Sequence, residues 1–115
     1  MRSLQEPGRE IRESRDFANT FQASVVEGLA NTLGLIVMQT LKTLLAYSLE
    51  AYAEKPNELH RELSRVFGSG ATTLERVIAK ELFQRLSLHY SNELDFETSV
   101  KLARRDMILS ERGNN

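Results

Sequence analysis

Between Phe17 and Leu49 only Glu27 and Lys42 are charged, in a chain whose overall charged fraction of 27% would place about nine charges there. A stretch this apolar must be covered, by its own chain or by a second molecule. Its apolar residues recur at helical spacing. Phe17, Ala18, Phe21, Val25, Leu29 and Leu33 share one side of a 3.6-residue helix, and Ile11 extends the row upstream. With Pro7 at its start this pattern predicts a first helix over roughly 9 to 32; Ser14 or Asp16 as an N-cap would instead begin a shorter one near Phe17. Residues 1–15, with four arginines and three glutamates around Pro7 and Gly8, form a polar N-terminal extension that is helical in the first case.

The opposite side of the first helix holds Asn19, Thr20, Ser24, Glu27 and Asn31, polar but nearly uncharged, which suits a contact surface. Gly34 offers a stop at little steric cost. A second helix is predicted from about Leu35 to Ala53. On it Val37, Met38, Leu41, Leu44, Leu45, Leu49 and Tyr52 fill one broad arc, while Ile36 and Tyr47 lie on another beside Thr40 and Thr43. A helix apolar on more than one side is either the centre of the bundle or part of a subunit interface, and this one is read as the central helix.

Lys55-Pro56-Asn57 interrupts the pattern, because proline lacks a backbone donor and disfavours a helical residue before it. Leu59, Leu63, Val66 and Phe67 then make a single stripe that Gly68 ends. Ser69 is placed to cap a fourth helix over about 70–87, with Ala71, Leu74, Val77, Ile78, Leu82 and Leu86 inward and Glu81 paired with Arg85 one turn on. After a connector at 88–94, Asp95 is the expected cap of a fifth helix with Phe96, Val100, Ala103 and Met107 facing in. Leu102 and Leu109 point elsewhere, and Ser110 to Asn115 reads as a fraying tail.

The chain therefore reads as one all-α domain over residues 1–115, a compact bundle of about five helices. Composition narrows its use. With 15 basic and 16 acidic residues the formal net charge is −1, so no global field holds it to nucleic acid or an anionic membrane. Cysteine is absent, which removes disulfides and thiolate chemistry. The apolar run Leu33–Met38 is far short of the roughly 20 residues needed to span a bilayer, and the N-terminal residues lack a signal-peptide core, so a cytoplasmic location is expected. His60 and His89 sit on different elements without metal-ligand spacing, and no cofactor is expected. The segment around Ser69 lacks the strand-to-helix setting of a serine nucleophile.

Two local features bear on binding. The turn at Gly68 with Ser69, Gly70, Thr72 and Thr73 offers hydroxyls and free backbone donors to an anion, although no lysine follows as in a phosphate-binding loop. Helices three and four also follow each other as in a helix-turn-helix, which would present Thr73, Arg76, Lys80 and Gln84 to DNA, with Glu75 and Glu81 opposing. From Phe67-Gly68-Ser69-Gly70-Ala71 through Leu74-Glu75-Arg76 and Lys80-Glu81-Leu82 to Asp95-Phe96, the chain resembles a small archaeal all-helical family of signalling output domains with no assigned biochemistry. The resemblance covers roughly residues 26–105 and implies a non-catalytic regulatory module that works by self-association, with no site residues carried over.

The expectation is a non-enzymatic interaction module, a homodimer joined through Thr20, Ser24, Glu27, Ile36, Tyr47, Leu102 and Leu109. An arginine at Thr20 or Ser24 is expected to split the dimer and spare the fold.

Overall fold

The computed structural model describes the backbone of residues 7–113 and the side chains of residues 12–110; residues 1–6, 114 and 115 of the expected extension and tail lie outside the described residues. Those described form five α-helices and no strand: α1 (Pro7–Leu33), α2 (Leu35–Leu44), α3 (Pro56–Phe67), α4 (Gly70–Arg85) and α5 (Phe96–Gly113), with a 3₁₀ turn at Leu49–Ala53. The all-α bundle predicted from the spacing is observed. So is the longer form of the first helix, which starts at Pro7, where a missing N–H costs no helical hydrogen bond.

The axis of the bundle is α1 against α4. Along α1, Phe17, Phe21, Ser24, Val25, Gly28 and Leu29 are buried. The two helices come close at Gly28, where a Cβ would stand 3.1 Å from Val77 Cγ1. A side chain at that position would press Val77 back by a few tenths of an ångström in a close-packed interior. On α4, Ala71, Leu74, Ile78 and Leu82 are buried as predicted, and Glu75, Ala79 and Phe83 with them. The buried arc is wider than a single stripe because α3 and α5 pack on α4 from beyond α1. Val77 and Leu86 are only half-buried.

The expected helix from Leu35 to Ala53 is not one helix. α2 stops at Leu44 after 10 residues, and Leu45 is extended (φ −78°, ψ 146°). The cause lies on α3. Glu62, 5% exposed, takes the Ala46 N–H on Oε1 (3.0 Å) and the Tyr52 hydroxyl on Oε2 (2.6 Å). The Tyr52 oxygen in turn accepts the Tyr47 N–H (3.2 Å). Two backbone donors that would have carried the helix onward are thus held by side chains, which satisfies them at a bend. Lys55 Nζ stands 4.0 Å over the Tyr47 ring, and the Tyr47 and Tyr52 rings meet edge to face at 5.6 Å. Nor is α2 central, since only Met38 and Leu41 on it are buried. The residues that hold the middle of the fold belong to α1 and α4.

At the other junctions the local signals fare unevenly. Ser69 makes no capping hydrogen bond, because it is already helical (φ −67°, ψ −16°) and its side chain does not return to the first turn. Asp95 does cap α5, its Oδ1 accepting the Thr98 N–H at 2.7 Å. That bond, with the Thr98 hydroxyl, holds the Asp95 carboxyl below its ordinary pKa. Phe96, Val100 and Ala103 are buried as predicted. The segment expected to fray from Ser110 stays helical as far as Gly113. Arg104 on α5 bonds both Glu54, just after the 3₁₀ turn, and Ser14 Oγ on α1 (3.0 Å), tying three distant segments together.

Burial, and then the bond to Glu62, push the Tyr52 hydroxyl up to about 12. A folded-state pKa raised above the unfolded value near 10 contributes stability that is intact below pH 10 and lost as pH rises toward 12. Denaturation midpoints should therefore fall across that window in the native chain, and a phenolate should form near pH 12 by ultraviolet absorbance. Tyr52→Phe should remove that phenolate, flatten the fall and cost about 1–3 kcal/mol at neutral pH, because Tyr47 N–H and Glu62 Oε2 lose their partner.

Candidate self-association surface

Because the Glu62 network ends α2 early and only Met38 and Leu41 turn inward, the rest of the helix faces solvent. Ile36 is 79% exposed and Leu35 60%, with Val37, Leu44 and Tyr47 also exposed. Gly34 sets this orientation. Its φ of +93° and ψ of 155° belong to backbone that favours glycine, yet its N–H still reaches Ala30 O (2.8 Å) and its carbonyl accepts the Met38 N–H (3.0 Å). The chain changes direction there with its hydrogen bonds nearly continuous.

The two threonines on the exposed side of α2 spend their donors locally. Thr40 donates to Ile36 O at 2.9 Å and Thr43 to Thr40 O at 2.7 Å. The row Ile36, Thr40, Thr43 therefore presents little demand for water, flanked by Leu35 and Leu44, and Lys42 is the one charge on the helix. Such a surface is chemically suited to burial against another apolar face and to little else.

The residues singled out from the sequence are distributed as follows. Ile36 and Tyr47 belong to this exposed stretch. Ser24 does not belong to any surface: it is fully buried, its hydroxyl donating to Thr20 O (2.8 Å), because α1 is covered over a wider arc than its apolar residues alone describe. Thr20 is half-buried and donates to Asp16 O (3.0 Å). Glu27 is exposed, 3.7 Å from Arg85 on α4. Leu102 is half-buried against the core instead of free, whereas Leu109 is 58% exposed, on α5. Val37 and Leu44, assigned to the inward arc, are exposed. Nothing within α2 marks them so, since the helix would bury them had it continued to Ala53.

The turn residues Ser69, Gly70, Thr72 and Thr73 are exposed, and none of them carries a positive charge to hold an anion. Thr73, Arg76, Lys80 and Gln84 form the exposed row along α4 that the helix-turn-helix reading requires. The predicted Glu81–Arg85 pair is present at 3.1 Å. Among the described residues no three histidine, aspartate or glutamate side chains are grouped to hold a metal ion, and no helix is long and apolar enough to cross a membrane. No family model matches the chain, and no curated protein or solved structure was found to match it.

The two kinds of position separate experimentally. Ser24→Arg should destabilise the domain by about 3 kcal/mol or more, through overpacking and an unpaired buried charge. Ile36→Asp should leave the helical circular dichroism of the chain, and at low concentration its melting temperature, close to those of the native monomer, since its side chain is in water within one chain.

Proposed function

We propose that this chain is a non-catalytic regulatory module that acts by self-association, two copies meeting across their α2 helices. The observation that carries the reading is the exposure of Leu35, Ile36, Val37, Leu44 and Tyr47 in one short stretch. Together they leave on the order of 500 Å² of apolar surface in water, near the top of the roughly 300–600 Å² usual for the largest patch on a monomer.

A second copy is the partner that fits best. The face carries no charge pattern to select a different protein, and an isologous contact lays one neutral row against its twin while the single Lys42 on each helix stays exposed. The resemblance to signalling output domains supports a regulatory use of that association. The runner-up, a DNA-binding role for α4, has the exposed row Thr73, Arg76, Lys80 and Gln84 in its favour. Against it stand the near-neutral chain and the carboxylates of Glu75 and Glu81 on the same helix.

Light scattering across a concentration series tests the reading. The native chain should move from monomer to dimer mass with rising concentration, and Ile36→Asp and Leu44→Asp should stay monomeric while folded. A native chain that remains monomeric throughout, or a dimer that both substitutions leave intact, contradicts it. Salt-dependent binding to duplex DNA that is lost on Arg76→Glu would transfer support to α4.

A further inference from the structure

On the far side of α4 from α1, α3, α4, the 88–95 connector and the start of α5 enclose a cleft of about 400 Å³. That is the size of a small-molecule site. Most of the charged groups around it are already engaged. Glu75, nearly buried, accepts the Nδ1–H of His60 at 2.5 Å; Glu97 pairs with Lys101 at 3.0 Å; Asp95 caps α5.

Two charges are left over. Arg76 on α4 and Glu93 on the connector both line the cleft, and neither has an ion-pair partner among the described residues. A third group is also unmet. Ser99 forms part of the cleft wall at 1% exposure, and its hydroxyl is the one buried side-chain polar atom among the described residues without a hydrogen bond. Buried polar groups are almost always paired, so an orphan hydroxyl in the wall of a cleft points to something that enters it. The remaining surface includes Ala79, Tyr90, Leu94 and Phe96, with Tyr90 held edge to face on Phe83 at 5.6 Å.

We propose that this cleft binds a small zwitterion, a free α-amino acid with an apolar side chain, its carboxylate on Arg76, its ammonium on Glu93 and a polar atom on Ser99 Oγ. Opposite charges on two different walls match a molecule that carries both signs. The side chain of the ligand lies against Tyr90 and Leu94. With Nδ1 committed to Glu75, His60 has Nε2 left for the ammonium. The site does not depend on α2, so it stands or falls apart from self-association.

The test is titration of the full chain with phenylalanine, phenylalaninamide and N-acetylphenylalanine, followed by amide chemical shifts. Phenylalanine should give saturable shifts confined to residues 57–60, 72–79 and 90–99, and each singly charged relative should bind about tenfold more weakly or worse. Arg76→Gln should cost affinity for phenylalanine while sparing phenylalaninamide, and Glu93→Gln should spare N-acetylphenylalanine. Both residues are exposed, so folding is preserved. Ser99→Ala should weaken binding while leaving the melting temperature equal or higher, since it removes an unpaired hydroxyl. The proposal is overturned if phenylalaninamide or N-acetylphenylalanine binds as tightly as phenylalanine. It is equally overturned if the shifts fall elsewhere, or if tens of millimolar phenylalanine leaves the spectrum unchanged.

Discussion

The carboxylate of Glu62 is the constraint on which the shape of this molecule turns. From α3 it accepts the N–H of Ala46 and the hydroxyl of Tyr52, and Tyr52 passes the connection to the N–H of Tyr47. A buried carboxylate is costly unless its lone pairs are filled, and here they are filled by the Tyr52 hydroxyl and by the Ala46 N–H, a donor that a continued α2 would have used internally. The chain must therefore bend after Leu44. Everything downstream depends on that bend: the 3₁₀ turn that buries Leu49, Tyr52 and Ala53, the entry to α3 at Pro56, and the isolation of α2 as a short helix with a narrow buried stripe.

Against that hinge the core itself is conventional. α1 and α4 pack at the close approach of Gly28 to Val77, and α3 and α5 also pack on α4. The division of labour follows from this. The core is completed without most of α2, so most of the apolar residues of α2 stay in water within one chain. The opposite side of α4 has a different chemistry, a cleft with unpaired charges and an unmet hydroxyl.

What could be read from the residues alone was the locally encoded part. The α1 row from Phe17 to Leu33, the start at Pro7, the Pro56 break, the Asp95 cap and the Glu81–Arg85 pair each rest on neighbours within a turn or two, and all appear. What was not legible depends on distant partners. No glycine or proline marks the stop at Leu44; the stop is imposed by a side chain 16 residues from Ala46. Glu62 itself reads as an ordinary surface acid on an amphipathic helix. Ser24 reads as polar surface because its hydroxyl bonds to its own helix, which lets it be buried at little cost. The surface on α2 was half visible for the same reason, with Ile36 and Tyr47 placed on it and Val37 and Leu44 placed in the core.

Amide hydrogen exchange of Ala46 and Tyr47 tests the central claim most directly, because both lie in a bend outside any helix. If side chains on Glu62 and Tyr52 hold that bend, these two amides should be protected nearly to the level of the α1 and α4 core. Glu62→Gln should selectively weaken the protection of Ala46 and Tyr47. Exchange of both amides at the rate of an open loop in the native chain would contradict the account, and with it the reason given for the exposure of α2.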